Sequence, residues 1–248
     1  LFSDDEFSTR FNMLQTNKFY IPRFHQSLYL LLFVLAFQTT EAALGADASV
    51  SNDEIVLPVE IFIVKSAIPP LNAEISESEI EQFLQRVNLV WLAANIQWEL
   101  QATYRHQLQE EAAVIAAMHG GPTITREFLL AAIVSGEPSL GVWQVYVTGD
   151  LTALLGAPGM YLPEQQKLIV SLVDPAGLND PGRITAHELG HSLSLAHVPC
   201  VPAGNLMSPG CNSVNRIRLS ESQILAARQQ AKQGQPATRL QQDKKIDH

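Results

Sequence analysis

Apolar residues recur along this chain in two rhythms, one suited to strands and one to helices. Ile55 to Lys65 (IVLPVEIFIVK) is rich in β-branched and aromatic residues and predicts a strand. Pro69-Pro70 ends it. Ser76-Glu77-Ser78-Glu79 is a capping box. Behind it Ile80, Phe83, Leu84, Val87, Trp91 and Ala94 fall at helical spacing, which predicts a long helix with one core-facing side. Ile96 to Thr103 (IQWELQAT) predicts a second strand. The polar, then alanine-rich stretch 105–118 and the segment Thr125 to Val134 predict helices, with Gly120-Gly121-Pro122 between them. Together they read as an insertion between strands, and His119 within it reads as a surface residue.

Val142 to Val147 (VWQVYV) predicts a third strand and Lys167 to Val173 (KLIVSLV) another, buried one. Between them Gly156-Ala157-Pro158-Gly159 turns the chain into Met160-Tyr161-Leu162, which reads equally as a loop or as a short edge strand. Asp180 suits a helix N-cap and Pro181 the first helical position. Ser220 to Gln223 forms a second capping box and opens a C-terminal helix running to about Lys232. This order predicts an α+β fold with a mixed, twisted sheet of about five strands. It forms one domain over residues 55–233, with a flexible lead-in at 43–54 and a frayed polar tail at 234–248.

The first 42 residues carry a different pattern. Residues 1–12 precede Met13 and read as a non-native leader. From Met13, Lys18 and Arg23 supply a positive region, Leu28 to Phe37 an apolar one, and Thr40-Glu41-Ala42 a small-residue cleavage site. That is the order of a secretory signal peptide over 13–42. The apolar run is half of the ~20 residues that cross a bilayer. The expectation is therefore a secreted or periplasmic protein with no membrane span once processed. A net charge of −9, with no basic cluster beyond Lys244-Lys245, argues against nucleic acid or an anionic membrane surface as partner. The only cysteines are Cys200 and Cys211, which in an exported chain read as a disulfide; two thiols, free or metal-binding, are the alternative.

The candidate chemistry lies in His187-Glu188-Leu189-Gly190-His191, followed six residues on by His197. On a helix the four-residue spacing puts His187 and His191 on one face, one turn apart, so both imidazoles reach one zinc ion. Glu188 beside them is placed to take a proton from a zinc-bound water. A third histidine completes a three-nitrogen site and leaves the fourth position open, as a catalytic zinc requires. Three of the seven histidines fall within these eleven residues.

The segment resembles the metzincin zinc-peptidase signature, HExxHxxGxxH followed by a methionine turn. Within that family it is most similar to the matrixin branch, whose histidine run also reads HE-x-GHSL-x-L-x-H. The turn here is Asn205-Leu206-Met207-Ser208-Pro209, with a proline two residues after Met207. The match covers roughly residues 183–209. It implies a zinc-dependent endopeptidase acting on protein or peptide substrates as a monomer. His187, His191 and His197 would be the ligands, Glu188 the general base, and Met207 a packing floor under the metal. Met160, Tyr161 and Leu162 would form the strand beside which substrate lies, and the segment from Ser208 to Arg218 would wall the specificity pocket. No calcium site is evident. One residue departs from the pattern: the family glycine falls at Ser194, where a left-handed backbone costs serine roughly 1–2 kcal/mol. Two alternatives stay open on that account. Glu221 could supply the third ligand in place of His197, or the domain could bind zinc without catalysis.

Overall fold

In the computed structural model, residues 53–118, 125–173, 180–200, 204–208 and 217–238 are described. All of them fall in one unit, Val50–His248. The N-terminal leader, the signal segment, His119, Pro209 and Cys211 lie outside the described residues. None of the described helices is long and apolar enough to cross a membrane.

Five strands form one sheet: β1 (Ile55–Lys65), β2 (Ile96–Gln107), β3 (Trp143–Thr148), β4 (Gly159–Leu162) and β5 (Lys167–Ser171). Their order is β2-β1-β3-β5-β4. β1 pairs in parallel with β2 and β3, and β3 with β5, while β4 runs antiparallel to β5 at the edge. The mixed α/β class and the five-stranded sheet agree with the pattern read from the chain.

Alternation along the strands sends side chains to two cores. Leu57, Val59, Ile61 and Ile63 of β1, with Trp143, Val145 and Val147 of β3, meet α1 (Glu77–Trp91) and α5 (Pro181–Ser192) on one face. Val64, Tyr146 and Ile169 face the other way, under α2 (Glu111–Met118) and α3 (Arg126–Ile133). A short helical turn, α4 (Thr152–Leu155), precedes β4. α6 (Glu221–Ala231) closes the first core. Its buried Arg228 donates to the carbonyls of Ala94 and Asp53, tying the helix to the start of β1.

Both capping boxes form, at Ser76/Glu79 and Ser220/Gln223, and Asp180 accepts from the Gly182 N–H at the start of α5. Two boundaries differ from expectation. β2 continues to Gln107, four residues past Thr103, so residues 105–107 are strand and not helix. The reason is cross-strand packing. Tyr104 stacks on Phe62 at 4.9 Å between ring centroids and Phe62 on Tyr146 at 4.7 Å, a three-strand aromatic ladder that extends the pairing. The second correction concerns the tail. Residues 234–238 do not fray: Pro236 and Ala237 are buried, with Ala237 bonded to the end of α5.

Candidate metal and catalytic site

The site is built on α5, which lies against α1, β4 and β5. His187 and His191 leave the same face of the helix, and their rings sit 4.8 Å apart edge to face. The helix must then end so that the chain turns back. Ser194 does this in the left-handed conformation, with φ +66°. Its N–H bonds the His191 carbonyl at 2.9 Å and the Leu195 N–H bonds the Gly190 carbonyl at 2.9 Å. That pair of bonds is a Schellman ending with serine where glycine is usual. Ser194 is held by a hydrogen bond from its hydroxyl to Gln230 Oε1 at 3.2 Å.

The magnitudes set an order for variants at this position. Ser194→Ala keeps the left-handed cost and loses the bond, which is expected to destabilise by about 1 kcal/mol. Ser194→Gly loses the bond but relieves the backbone, landing within about 1 kcal/mol of the parent. Urea denaturation checks the order; an alanine variant more stable than the glycine variant would refute the strain.

The turn brings His197 over the other two. Its Nε2 stands 3.1 Å from His187 Nε2 and 3.0 Å from His191 Nε2. The three ligand atoms lie within 4.8 Å of one another, and this is the metal-capable cluster among the described residues. Glu221, the alternative third ligand, is not in it; that side chain is exposed on the first turn of α6.

The other ring nitrogens explain the geometry. His187 Nδ1 is 2.7 Å from the Leu206 carbonyl and His191 Nδ1 is 2.8 Å from the Leu195 carbonyl. A carbonyl only accepts, so each Nδ1 carries the proton and each Nε2 a lone pair. His197 Nε2 lies within hydrogen-bond distance of both, and three ring nitrogens gathered at one point would fit a cation when His197 too presents its lone pair. Two nitrogens each about 2.0–2.1 Å from one zinc at tetrahedral angles stand about 3.3 Å apart, close to the spacings here. Burial, then the neighbouring His191, pushes the His187 imidazole down to about 3; burial, then His197, pushes His191 down to about 4. Burial also lowers His197. The rings are therefore neutral at pH 7, as ligands must be.

Glu188 is buried between α5 and β4. Burial raises its carboxyl to about 8, partly offset by a hydrogen bond from the Tyr161 backbone N–H. β4 approaches so closely that a Cβ at Gly159 would lie 2.6 Å from Ile184 Cγ2 and 2.9 Å from Glu188 Cγ. Glycine there is a condition of the contact. Met160, Tyr161 and Leu162 lie in the edge strand, which among the described residues pairs with β5 alone.

Met207 is fully buried under α5. Its N–H bonds Asn205 Oδ1 at 2.9 Å, and its carbonyl accepts from the Val198 N–H at 3.0 Å, which anchors the chain one residue past His197. A Cβ at Gly190 would stand 2.5 Å from Met207 Sδ. Gly190→Ala would gain about 1 kcal/mol of helix propensity against about 1–3 kcal/mol of overpacking. The expected result is a net loss of up to about 2 kcal/mol and weaker zinc retention, because Leu206, which holds His187, moves with Met207. Thermal unfolding with and without metal measures this; an unchanged or raised midpoint would mean that Met207 simply swings aside.

The sequence pattern singled out the three histidines and Glu188 but not Arg183, buried on the same helix, whose charge lowers both His187 and Glu188. It missed the carbonyls of Leu195 and Leu206, which main-chain atoms supply whatever the side chain. It also missed Gly159 and Gly190, though the glycine inside HELGH was a visible signal of close packing. The expected cysteine pair includes Cys211, outside the described residues; among the described residues no cysteine is free.

No protein-family model matches the chain, and no curated protein matches it. Among solved structures it is similar to archaemetzincin from Methanopyrus kandleri, at 15% identity over 71% of this chain and 96% of that one, with a TM-score of 0.46. It is also similar to a chain from a chaperone–substrate complex, at 13% identity over 73% of this chain and 35% of that one, with a TM-score of 0.43. At this level of likeness the functional reading rests on the site itself.

Proposed function

We propose that the chain is a secreted, zinc-dependent endopeptidase of the metzincin kind, with a matrixin-like histidine run. The observation that carries this reading is the convergence of three imidazole Nε2 atoms, two of them fixed from behind by main-chain carbonyls, with Glu188 one residue along the same helix. A structural site would close the fourth position with a protein ligand; among the described residues no Cys, Asp or Glu joins the three histidines.

His187, His191 and His197 would hold the metal through Nε2. When bound, zinc polarises a scissile carbonyl and lowers the pKa of water in its open position. The charge of a bound zinc would favour the ionised form of Glu188, whose carboxylate would accept the proton of the attacking water and return it to the leaving amide nitrogen. The edge of β4 away from β5 would line up an extended peptide through main-chain bonds, which gives affinity with little sequence selection. Met207 is the floor beneath the ligands. The reading includes a cleaved signal over 13–42, a Cys200–Cys211 bridge and a monomer acting on protein or peptide substrates.

Metal analysis of the purified chain and cleavage of a proteome-derived peptide library, with and without a chelator, test it. The expected result is one zinc per chain and cleavage that the chelator abolishes. Absence of stoichiometric zinc, or cleavage indifferent to the chelator, would overturn it.

A further inference from the structure

We propose that the segment Gln235–Thr238 is a strap that positions the edge strand β4 against the active-site helix, with Tyr161 as its anchor. The inference rests on the peptidase reading above for its consequence, though not for its geometry.

β4 has four residues and one ladder, to β5. Its other edge must stay open if a peptide is to pair there, so its place has to be secured by other means. The C-terminal segment supplies them. The Ala237 N–H donates to the Ser192 carbonyl at 2.8 Å. Ser192 is the last residue of α5, one past His191, and carbonyls at a helix end lack partners within the helix. The Ala237 carbonyl accepts the Tyr161 hydroxyl. One residue thus joins the end of α5 to β4. The Pro236 carbonyl accepts from Gln166 Nε2 at 3.0 Å in the turn between β4 and β5, and the Gln235 carbonyl from Gln230 Nε2 at 3.0 Å on α6. Gln230 is the residue that accepts from Ser194.

Tyr161 is therefore held at both ends. Its main-chain N–H meets Glu188 and its phenol meets the strap. A buried hydroxyl is costly without a partner, and the bond to Ala237 supplies the partner here. A phenylalanine would fill the same core and make no link. The strap fixes the spacing between a peptide lying on β4 and the Glu188 and histidine side chains of α5, where small misplacements cost large factors in rate. Tyr161 and Ala237 act through Glu188 and β4, so they are positioning residues.

Two variants test this in the full chain. Tyr161→Phe removes the phenol donor, and Ala237→Pro removes the N–H that meets Ser192. Turnover is referred to active sites titrated with a zinc-binding hydroxamate, and exchange of the Tyr161 amide is followed separately. We expect kcat to fall about tenfold in each, with KM within about twofold and zinc retained. The Tyr161 amide should exchange faster in both, and the double variant should be no worse than the poorer single one, because both cut the same link. Unchanged kcat, a loss that vanishes on referral to titrated sites, or two losses that multiply would each overturn the strap. Amide exchange needs no catalysis. If the parent cleaves nothing, the peptidase reading falls, and unchanged Tyr161 exchange in both variants still refutes the strap.

Discussion

Glu188→Gln is expected to lower kcat for peptide cleavage by 10²–10⁴-fold while leaving one zinc per chain. The amide can still accept the Tyr161 N–H that meets the carboxylate now, so β4 and α5 should keep their places. What is lost is the ability to take a proton from water and hand it to the leaving nitrogen. The His187 and His191 rings are fixed by the Leu206 and Leu195 carbonyls and not by Glu188, so the metal site has no reason to weaken. Activity within tenfold of the parent at full zinc loading would remove Glu188 from the role of general base.

The metal-free protein should show a bell-shaped dependence of stability on pH, with its maximum near 6.5. His187 and His191 are held at about 3 and 4 in the fold, against 6.5 when exposed, and Glu188 at about 8 against 4.5. Between pH 4.5 and 6.5 the unfolded chain binds two histidine protons that the fold refuses, and the fold keeps one Glu188 proton that the unfolded chain has released. The unfolded state then holds one more proton, so stability rises with pH by about 1.4 kcal/mol per unit. His197 adds to this acid limb in the same direction. Above 6.5 the histidines no longer contribute. Only Glu188 remains, protonated in the fold and ionised outside it, and stability falls with pH until about 8. In Glu188→Gln the alkaline limb should vanish. Chemical denaturation of chelator-treated protein across pH 4.5–8 measures both limbs, and a profile flat in that range would mean that the three groups are better solvated than their burial implies.

Much of the site was legible in the chain because it is local. The four-residue spacing of His187 and His191, Glu188 between them and Asp180-Pro181 ahead of them are contiguous, and helix geometry converts that spacing directly into proximity. Ser194 was legible as a point of strain, and the strain is there as a positive φ. β4 was ambiguous because a four-residue run cannot show a period; only pairing with β5 distinguishes it from a loop. β2 overran its predicted end because Tyr104 and His106 look polar locally but pack across strands on Phe62 and Tyr146. The C-terminal segment was misread as free for a related reason. Composition over 234–248 is mostly polar, and the bonds from Ala237 to α5 and β4 use main-chain atoms that carry no signature in the side chains.

The three tryptophans form a chain of contacts that ends at α5. Trp91 meets Trp98 edge to face at 6.3 Å, and Trp98 meets Trp143 at 5.5 Å. Trp143 Nε1 donates to Ser192 Oγ at 2.9 Å, one residue from His191. All three indoles are buried, so their emission is shielded from solvent and sensitive to whatever happens at that last contact. The chain therefore carries its own optical gauge. Tryptophan emission is the label-free signal in which loading or stripping of a metal, or release of the C-terminal segment, is expected to register.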